Sequence, residues 1–296
     1  MNVNMADIYD DKGRVSSLFA ESISGHKHSF HLTNGLMLIH QEICCSTDVT
    51  FVEAAYSGIY FSLQSNQKIQ SASDFTSLKM TYLEKDISGN FIIKAGETRS
   101  LLQLHFDPLL LSQLLNEPCE VVEQHLTMLI SKLATNKQTI EMPITQQLVQ
   151  ATKPLVKASL DKRLSLSGQA YAFAFLVLEQ MQMQSHMLSC SDCQSKLFSV
   201  QNLLEADFGV TKELTEFAYQ AGLSVEALEL GFYHLVGQTI DSYRDQARLK
   251  RVAAMIRADK YSRSDIVKVT GFSEDQLETM FIRHFGVPIA QYGQVH

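Results

Sequence analysis

An α+β N-terminal domain followed by an all-α C-terminal domain is the fold class this sequence predicts, and three observations predict it. The 296 residues suffice for two domains, each able to bury a core of its own. Short strand-like runs separated by turn residues occupy the chain up to about Phe106, and helical periodicity takes over after Pro108. An approximate repeat, AGLSVEALELGFYHLVG at 221–237 and TGFSEDQLETMFIRHFG at 270–286, makes the C-terminal third two copies of one helical unit.

In the N-terminal part, HLTNGLMLIHQEI, TFVEAAYSGIYFSLQ and GNFIIKAGETRSLLQLHF alternate with breaks at Asn34-Gly35, Ser57-Gly58, Ser88-Gly89-Asn90 and Gly96. That spacing predicts a small antiparallel β-sheet or barrel. Phe51, Tyr56, Tyr60, Phe61 and Phe91 suit either a β core or the wall of a ligand pocket. The helices that follow are interrupted by Pro118 and Pro154, which must bend or break them. SLSGQAYAFAFLVLEQMQMQSHML is apolar on nearly every face at its centre, as a core helix or a subunit-pairing helix would be. The small, polar stretch SCSDCQSK (Ser189 to Lys196) reads as a linker, which divides the chain into 1–188, a linker at 189–197, and 198–296.

Hydrophobic residues make up 45% and charged residues 19%, so bulk disorder is excluded. No apolar run approaches the roughly 18 residues of a membrane span, and MNVNMADIYDDKGR lacks the apolar centre of a signal peptide, so a cytoplasmic protein without membrane partner is expected. Five cysteines without a framework argue against structural disulfides. Cys190-x-x-Cys193, with His186 four residues before, has metal or redox spacing. It lacks the four protein ligands of a structural zinc site, so a reduced linker without bound metal is the expectation. His26, His28 and His31 lack the partners of a metal site and are expected on the surface, and Cys44-Cys45 is expected to pack. No nucleophile triad, phosphate loop or paired catalytic carboxylates stand in a supporting context, so neither catalysis nor a cofactor is expected.

Both copies of the repeat place Gly-apolar-Ser ahead of Leu four, Phe eight and Gly thirteen residues after the Ser. A helix-turn-helix needs this order: a first helix, a turn that wants Gly, a capping Ser, and a second helix with a buried stripe. LTEFAYQ supplies the first helix of copy one, and Ile266 and Val267 lie in that of copy two. Leu228, Phe232 and Leu235, and in turn Leu277, Phe281 and Phe285, form the stripes. Between the copies, DSYRDQARLKRVAAMIRADK has good helix formers and a basic face, suited to a rigid connector.

These elements resemble the C-terminal signature of the AraC/XylS family, carried here by LTEFAYQAGLS, the glycines and Phe232 of LELGFYHLVGQTIDSY, YRDQARLKRVAAMI with Arg248-Leu249 in the Arg-Leu position, and FIRHFGVPIAQY. The Gly231-Phe232 pair, HLTNGLMLIHQEI and DKRLSLSGQAYAFAFLVLEQM are similar to the PchR-type branch. The resemblance implies a one-component transcription regulator. Residues 1–188 would sense a small-molecule effector, such as a ferric siderophore, and pair subunits into a homodimer. Residues 198–296 would bind promoter DNA, with contact to RNA polymerase or another regulator. The DNA-facing positions would be Ser224, Val225, Glu226, Glu229, Arg244, Lys250, Arg251, Arg263, Ser273, Gln276, Thr279 and Arg283.

The chain departs from that family in charge. Its net charge is −7, and acidic side chains outnumber basic ones even between 197 and 296. Glu229-Leu230 stands where the PchR-type branch has Lys-Arg, and the second reading helix opens Glu274-Asp275 and continues with Glu278. Phosphates oppose such a surface, so attraction must come from the connector, Arg263 and Arg283. The alternative is that the acidic helices contact another protein. Lys250 and Arg251 are the better phosphate candidates, whereas Arg248 can either join the subdomains through a carboxylate or touch DNA.

Overall fold

The computed structural model describes residues 1–133, 138–158, 160–206 and 212–295, in two compact units, Met1–Ser185 and His186–His296. No helix among the described residues is long and apolar enough to cross a membrane.

The first unit is α+β. Its strands are β1 (Asn2–Asn4), β2 (Ile23–Thr33), β3 (Leu36–Cys45), β4 (Val49–Ala55), β5 (Gly58–Ser65), β6 (Ser77–Leu83), β7 (Ile87–Ile93), β8 (Thr98–Phe106) and β9 (Thr139–Met142). Six form an open sheet in the order β2-β3-β8-β5-β6-β9, antiparallel at every pairing. The other three form a second sheet, β1-β4-β7, in which β1 runs parallel to β4. The antiparallel sheet expected from the turn spacing is thus present, as an open sheet rather than a closed barrel. Three strands lie outside the named runs: β6, and β1 and β9, which at three and four residues are too short to show alternation.

The turn residues explain most of the topology. Gly35, at φ 79°, turns β2 into β3. Gly58 opens β5 at φ 136°, and a Cβ there would lie 2.6 Å from the Phe106 carbonyl oxygen, so only glycine fits. The break expected at Ser88-Gly89-Asn90 is not a turn. These residues lie inside β7, paired with Ala54, Glu53 and Val52. All three are exposed, on a strand with one pairing neighbour, where glycine costs no buried packing.

Phe51, Phe61 and Tyr60 are buried and Phe51 stacks on Phe91, so these four aromatics build the β core, while Tyr56 is exposed and does not. Helices α1 (Pro108–Leu115), α2 (Cys119–Leu133), α3 (Gln146–Val156) and α4 (Arg163–Ser189) follow. Pro118 separates α1 from α2, and Pro154 sits in the last turn of α3. In α4, Leu166, Ala170, Phe173, Ala174, Val177 and Met181 are buried, so the all-round apolar helix serves the core of its own unit.

The second unit is all α: α5 (Ser191–Ala206), α6 (Leu214–Ala221), α7 (Val225–Val236), α8 (Ile240–Ala258), α9 (Arg263–Thr270), α10 (Glu274–Phe285) and α11 (Ile289–Val295). The expected linker is overturned here, because Ser191 onward is helix and only the one-residue step at Cys190 separates α4 from α5. The polar look of 189–197 hides the start of a stripe: Cys193, Leu197, Val200 and Leu204, at helical spacing, are all buried. An Asp192–Lys196 ion pair of 2.8 Å braces the outer side of the same turns.

Of the three histidines expected on the surface, two are there and the third joins a small ring cluster. His28 and His31 are exposed, but the half-buried His26 ring lies 5.1 Å from that of His28 and 5.6 Å from that of His40. Burial lowers His26 against the opposing pull of Glu42, with smaller contributions from His28 and Lys68. Burial, then His26 and His28, lowers His40 in the same way. A histidine depressed on folding contributes stability that is complete above its unfolded value and lost as pH falls toward the folded one. Resistance of the first unit to urea unfolding should therefore weaken as pH drops below about 6.5, and His40→Gln should flatten that dependence. An equal slope in the variant would remove these rings as its cause.

Candidate nucleic-acid interface

The two copies of the repeat fold alike, residue for residue at their punctuation. Gly222 and Gly271 end α6 and α9 in the left-handed region at φ 63° and 72°. Ser224 and Ser273 then cap α7 and α10, accepting from the N–H groups of Ala227 and Gln276. Gly237 and Gly286 close the second helices at φ 78° and 75°. Each pair is a helix, a glycine turn and a serine-capped second helix, the layout of a helix-turn-helix.

Two cores support the pairs. The first joins α5, α6 and α7 through Leu197, Val200, Phe217, Leu228 and Phe232, and takes Ile240 from the start of α8. Tyr243 of α8 packs edge-on against Phe232 at 5.4 Å and bonds to Gln201 and Glu205 of α5. The second core joins Leu249, Val252, Ala253 and Met255 of α8 to Ile266, Phe272, Leu277 and Phe281. Helix α8 therefore belongs to both.

The proposed contact positions divide by what they already hold. Lys250, Arg251, Thr279 and Arg283 are exposed. Ser224 and Ser273 are exposed but committed as caps, and the Gln276 side chain accepts from the Ser273 N–H to complete a capping box. Val225 is half-buried against the first core, and Glu226 and Glu229 are half-buried beside it on α7. Arg244 faces inward: its side chain is 18% exposed, 2.7 Å from Asp241 and 3.2 Å from the Lys212 carbonyl oxygen. Arg248 is also buried, 3.9 Å from Asp245 and over the Phe272 ring of the second core. Burial raises the Asp245 carboxyl against the pull of Arg248 and Arg244. Of the two positions open to Arg248, the side chain occupies the interior one, beside a carboxylate.

The acidic surface is likewise subdivided. Glu278 accepts from Arg263 at 2.9 Å and from the Ile289 N–H at 3.2 Å, tying α9, α10 and the start of α11 together. Glu274 and Asp275 are exposed in the first turn of α10, where a helix dipole favours carboxylates. Arg257 and Lys260 of the basic connector, and Lys268 in the last turn of α9, are further exposed basic positions beside the named contact set.

No family model matches the chain, and no curated protein sequence matches it. Among solved structures, the chain is similar to a transcriptional regulator with an AraC-type DNA-binding domain from Chromobacterium violaceum. The two are 24% identical over 34% of this chain and 91% of that one, at a TM-score of 0.33. The C-terminal domain of the response regulator yesN from Fusobacterium nucleatum matches at 20% identity over 32% and 93%, at a TM-score of 0.30. ToxT from Vibrio cholerae, in a structure with bound unsaturated fatty acid, matches at 12% identity over 88% and 95%, at a TM-score of 0.29.

Removing both Glu278 contacts should loosen the second helix pair. Glu278→Ala is expected to lower its stability by about 1 kcal/mol, since charge-assisted bonds at a part-exposed site are worth less than buried ones. The check is native-state hydrogen exchange, with faster exchange expected in α10 and α11 and unchanged exchange in α6 and α7.

Proposed function

We propose that the chain is a one-component transcription regulator of the AraC/XylS type, in which α7 and α10 approach promoter DNA and the exposed side of α8 attracts phosphates. The observation that carries this reading is the doubled unit of glycine turn and serine-capped helix, built on one shared helix. Helix α8 has 19 residues, a length of about 28 Å at 1.5 Å per residue. That is near the roughly 34 Å between successive major-groove faces on one side of a duplex, so one rigid connector is suited to presenting two reading helices.

The first unit would sense a small organic effector and pair subunits into a homodimer. Supporting the sensing role is an apolar groove of about 550 Å³ between α1, α2 and α4, lined by Leu111, Val122, Leu126 and Phe175, with Lys132 and Glu179 as polar ends. That volume lies within the range of small-molecule sites. A ferric siderophore, as the PchR-type resemblance implies, is the first effector to titrate. An effector shifts DNA affinity only if it binds two arrangements of the protein unequally, so its effect is read as a ratio of promoter affinities.

A second reading rests on charge. From 197 to 296 there are ten Lys and Arg against thirteen Asp and Glu, and Glu226, Glu229, Glu274 and Asp275 lie on the reading helices. In this reading those helices dock on a basic surface of RNA polymerase or another regulator. Charge reversal at the four positions would abolish a stoichiometric protein complex if it holds, and would leave such a complex intact, or strengthen DNA binding, if it does not.

The regulator reading expects one promoter fragment to be retarded more strongly than random DNA, with affinity falling steeply as salt rises. Lys250→Ala with Arg251→Ala should weaken binding to all sequences alike and lower the salt slope by about 1 to 2, the loss of one or two phosphate contacts. An unchanged slope in the folded double variant would move the DNA face away from α8.

A further inference from the structure

A cluster of soft donor atoms lies where α4 gives way to α5. The chain stays helical through this step, since the Cys190 N–H donates to the His186 carbonyl oxygen at 3.1 Å. Residues four apart therefore share a face, which puts the His186 ring beside the Cys190 thiol. Cys190 precedes the first turn of α5, and its Sγ accepts the Cys193 N–H at 3.3 Å, which brings the second thiol to the same side. One imidazole nitrogen and two sulfurs consequently lie within 4.8 Å of one another. Tetrahedral zinc with Zn–S of about 2.3 Å and Zn–N of about 2.0 Å separates its donors by roughly 3.5–3.8 Å. Small side-chain rotations are enough to close the cluster on a cation.

We propose that His186, Cys190 and Cys193 form a three-donor site for a thiophilic d¹⁰ cation, represented by Zn²⁺, with a fourth coordination position open to solvent. Two thiolates and an imidazole select such a cation over Mg²⁺ or Ca²⁺, which require oxygen ligands. His186 is exposed, which leaves the ion a path in, while Cys190 is half-buried and Cys193 is buried. Spacing in the sequence argued against a four-ligand structural site. The structure supplies a different kind, in which the helical turn before the Cys-x-x-Cys pair adds the third donor.

Occupancy has a mechanical consequence. Cys193 and Met187 belong to the core that also holds Leu197, Phe217, Leu228 and Phe232. A cation joining the last turn of α4 to the first turn of α5 would pin the scaffold on which the first helix pair is built. Binding to the folded form alone raises its stability by mass action.

The test uses the full chain, reduced with a phosphine, and Zn²⁺ alone as ligand, competed against a chromophoric chelator. One equivalent of Zn²⁺ is expected to bind, and Co²⁺ in its place should show thiolate-to-metal charge-transfer absorption. His186→Gln and Cys190→Ser should each weaken binding at least about 100-fold, the upper end of what even an outer-shell change costs. His186 is exposed and Cys190 only packs against the edge of that core, so these variants keep the test valid should Cys193→Ser unfold the unit. Cys44→Ser, Cys45→Ser and Cys119→Ser should leave affinity unchanged. Zn²⁺ should also slow hydrogen exchange across Leu197–Leu204. The proposal is overturned if the reduced chain retains no stoichiometric Zn²⁺, if affinity survives in the His186→Gln, Cys190→Ser double variant, or if the pair merely oxidises to a disulfide with glutathione disulfide while the dithiol ignores the metal.

Discussion

The C-terminal unit depends on one helix closing two cores. Three short helices bury too little apolar surface to hold together unaided, and α6 and α9, at eight residues each, are below the length at which an isolated helix persists in water. Helix α8 resolves this by giving Ile240 and Tyr243 to the first core and Leu249, Val252, Ala253 and Met255 to the second. Arg248 lies between the two sets, buried beside Asp245 and over Phe272, with its charge held inside because the helix has a core on either side of it. The same sharing fixes the spacing of α7 and α10, which is the property a two-site reader of DNA needs.

Charge on this unit is divided by duty. Arg244, Arg248 and Arg263 are occupied within the protein by Asp241, Asp245 and Glu278, so three of the six arginines serve the fold first. Lys250, Arg251, Arg257 and Lys260 form the exposed basic run along α8 and just past its end. The acidic balance of the sequence is partly a record of such internal pairing and helix capping, as Glu278 and Asp265 show. Net charge therefore says less about the surface presented to a polyanion than the placement of these few side chains does.

In the first unit, backbone constraints do comparable work. A six-stranded sheet needs β5 to pass close to β8, and Gly58 permits the approach where a side chain would strike the Phe106 carbonyl. The small sheet packs its inner face at the end of the large one through Val3, Ile8, Ile43, Val49 and Phe51. The N-terminal segment, which carries no repeating pattern, earns its place through those contacts.

What the sequence by itself determined is what local chemistry encodes. Glycine at the turns, serine at the caps and a 3.6-residue apolar stripe specify each helix pair without help from distant residues, and all of these stand where the repeat placed them. Elements whose identity depends on remote partners were decided only by tertiary structure. The Gly89 region is strand because β4 pairs with it, 189–197 is helix because Cys193 and Leu197 find a core, and β1 and β9 exist only as additions to sheets formed elsewhere. The candidate contacts divide along the same line. The exposure of Lys250 and Arg251 was legible because they follow the packing Leu249, whereas the inward turn of Arg244 and the gathering of His186 with two thiols depend on how neighbouring turns meet, which spacing alone does not specify.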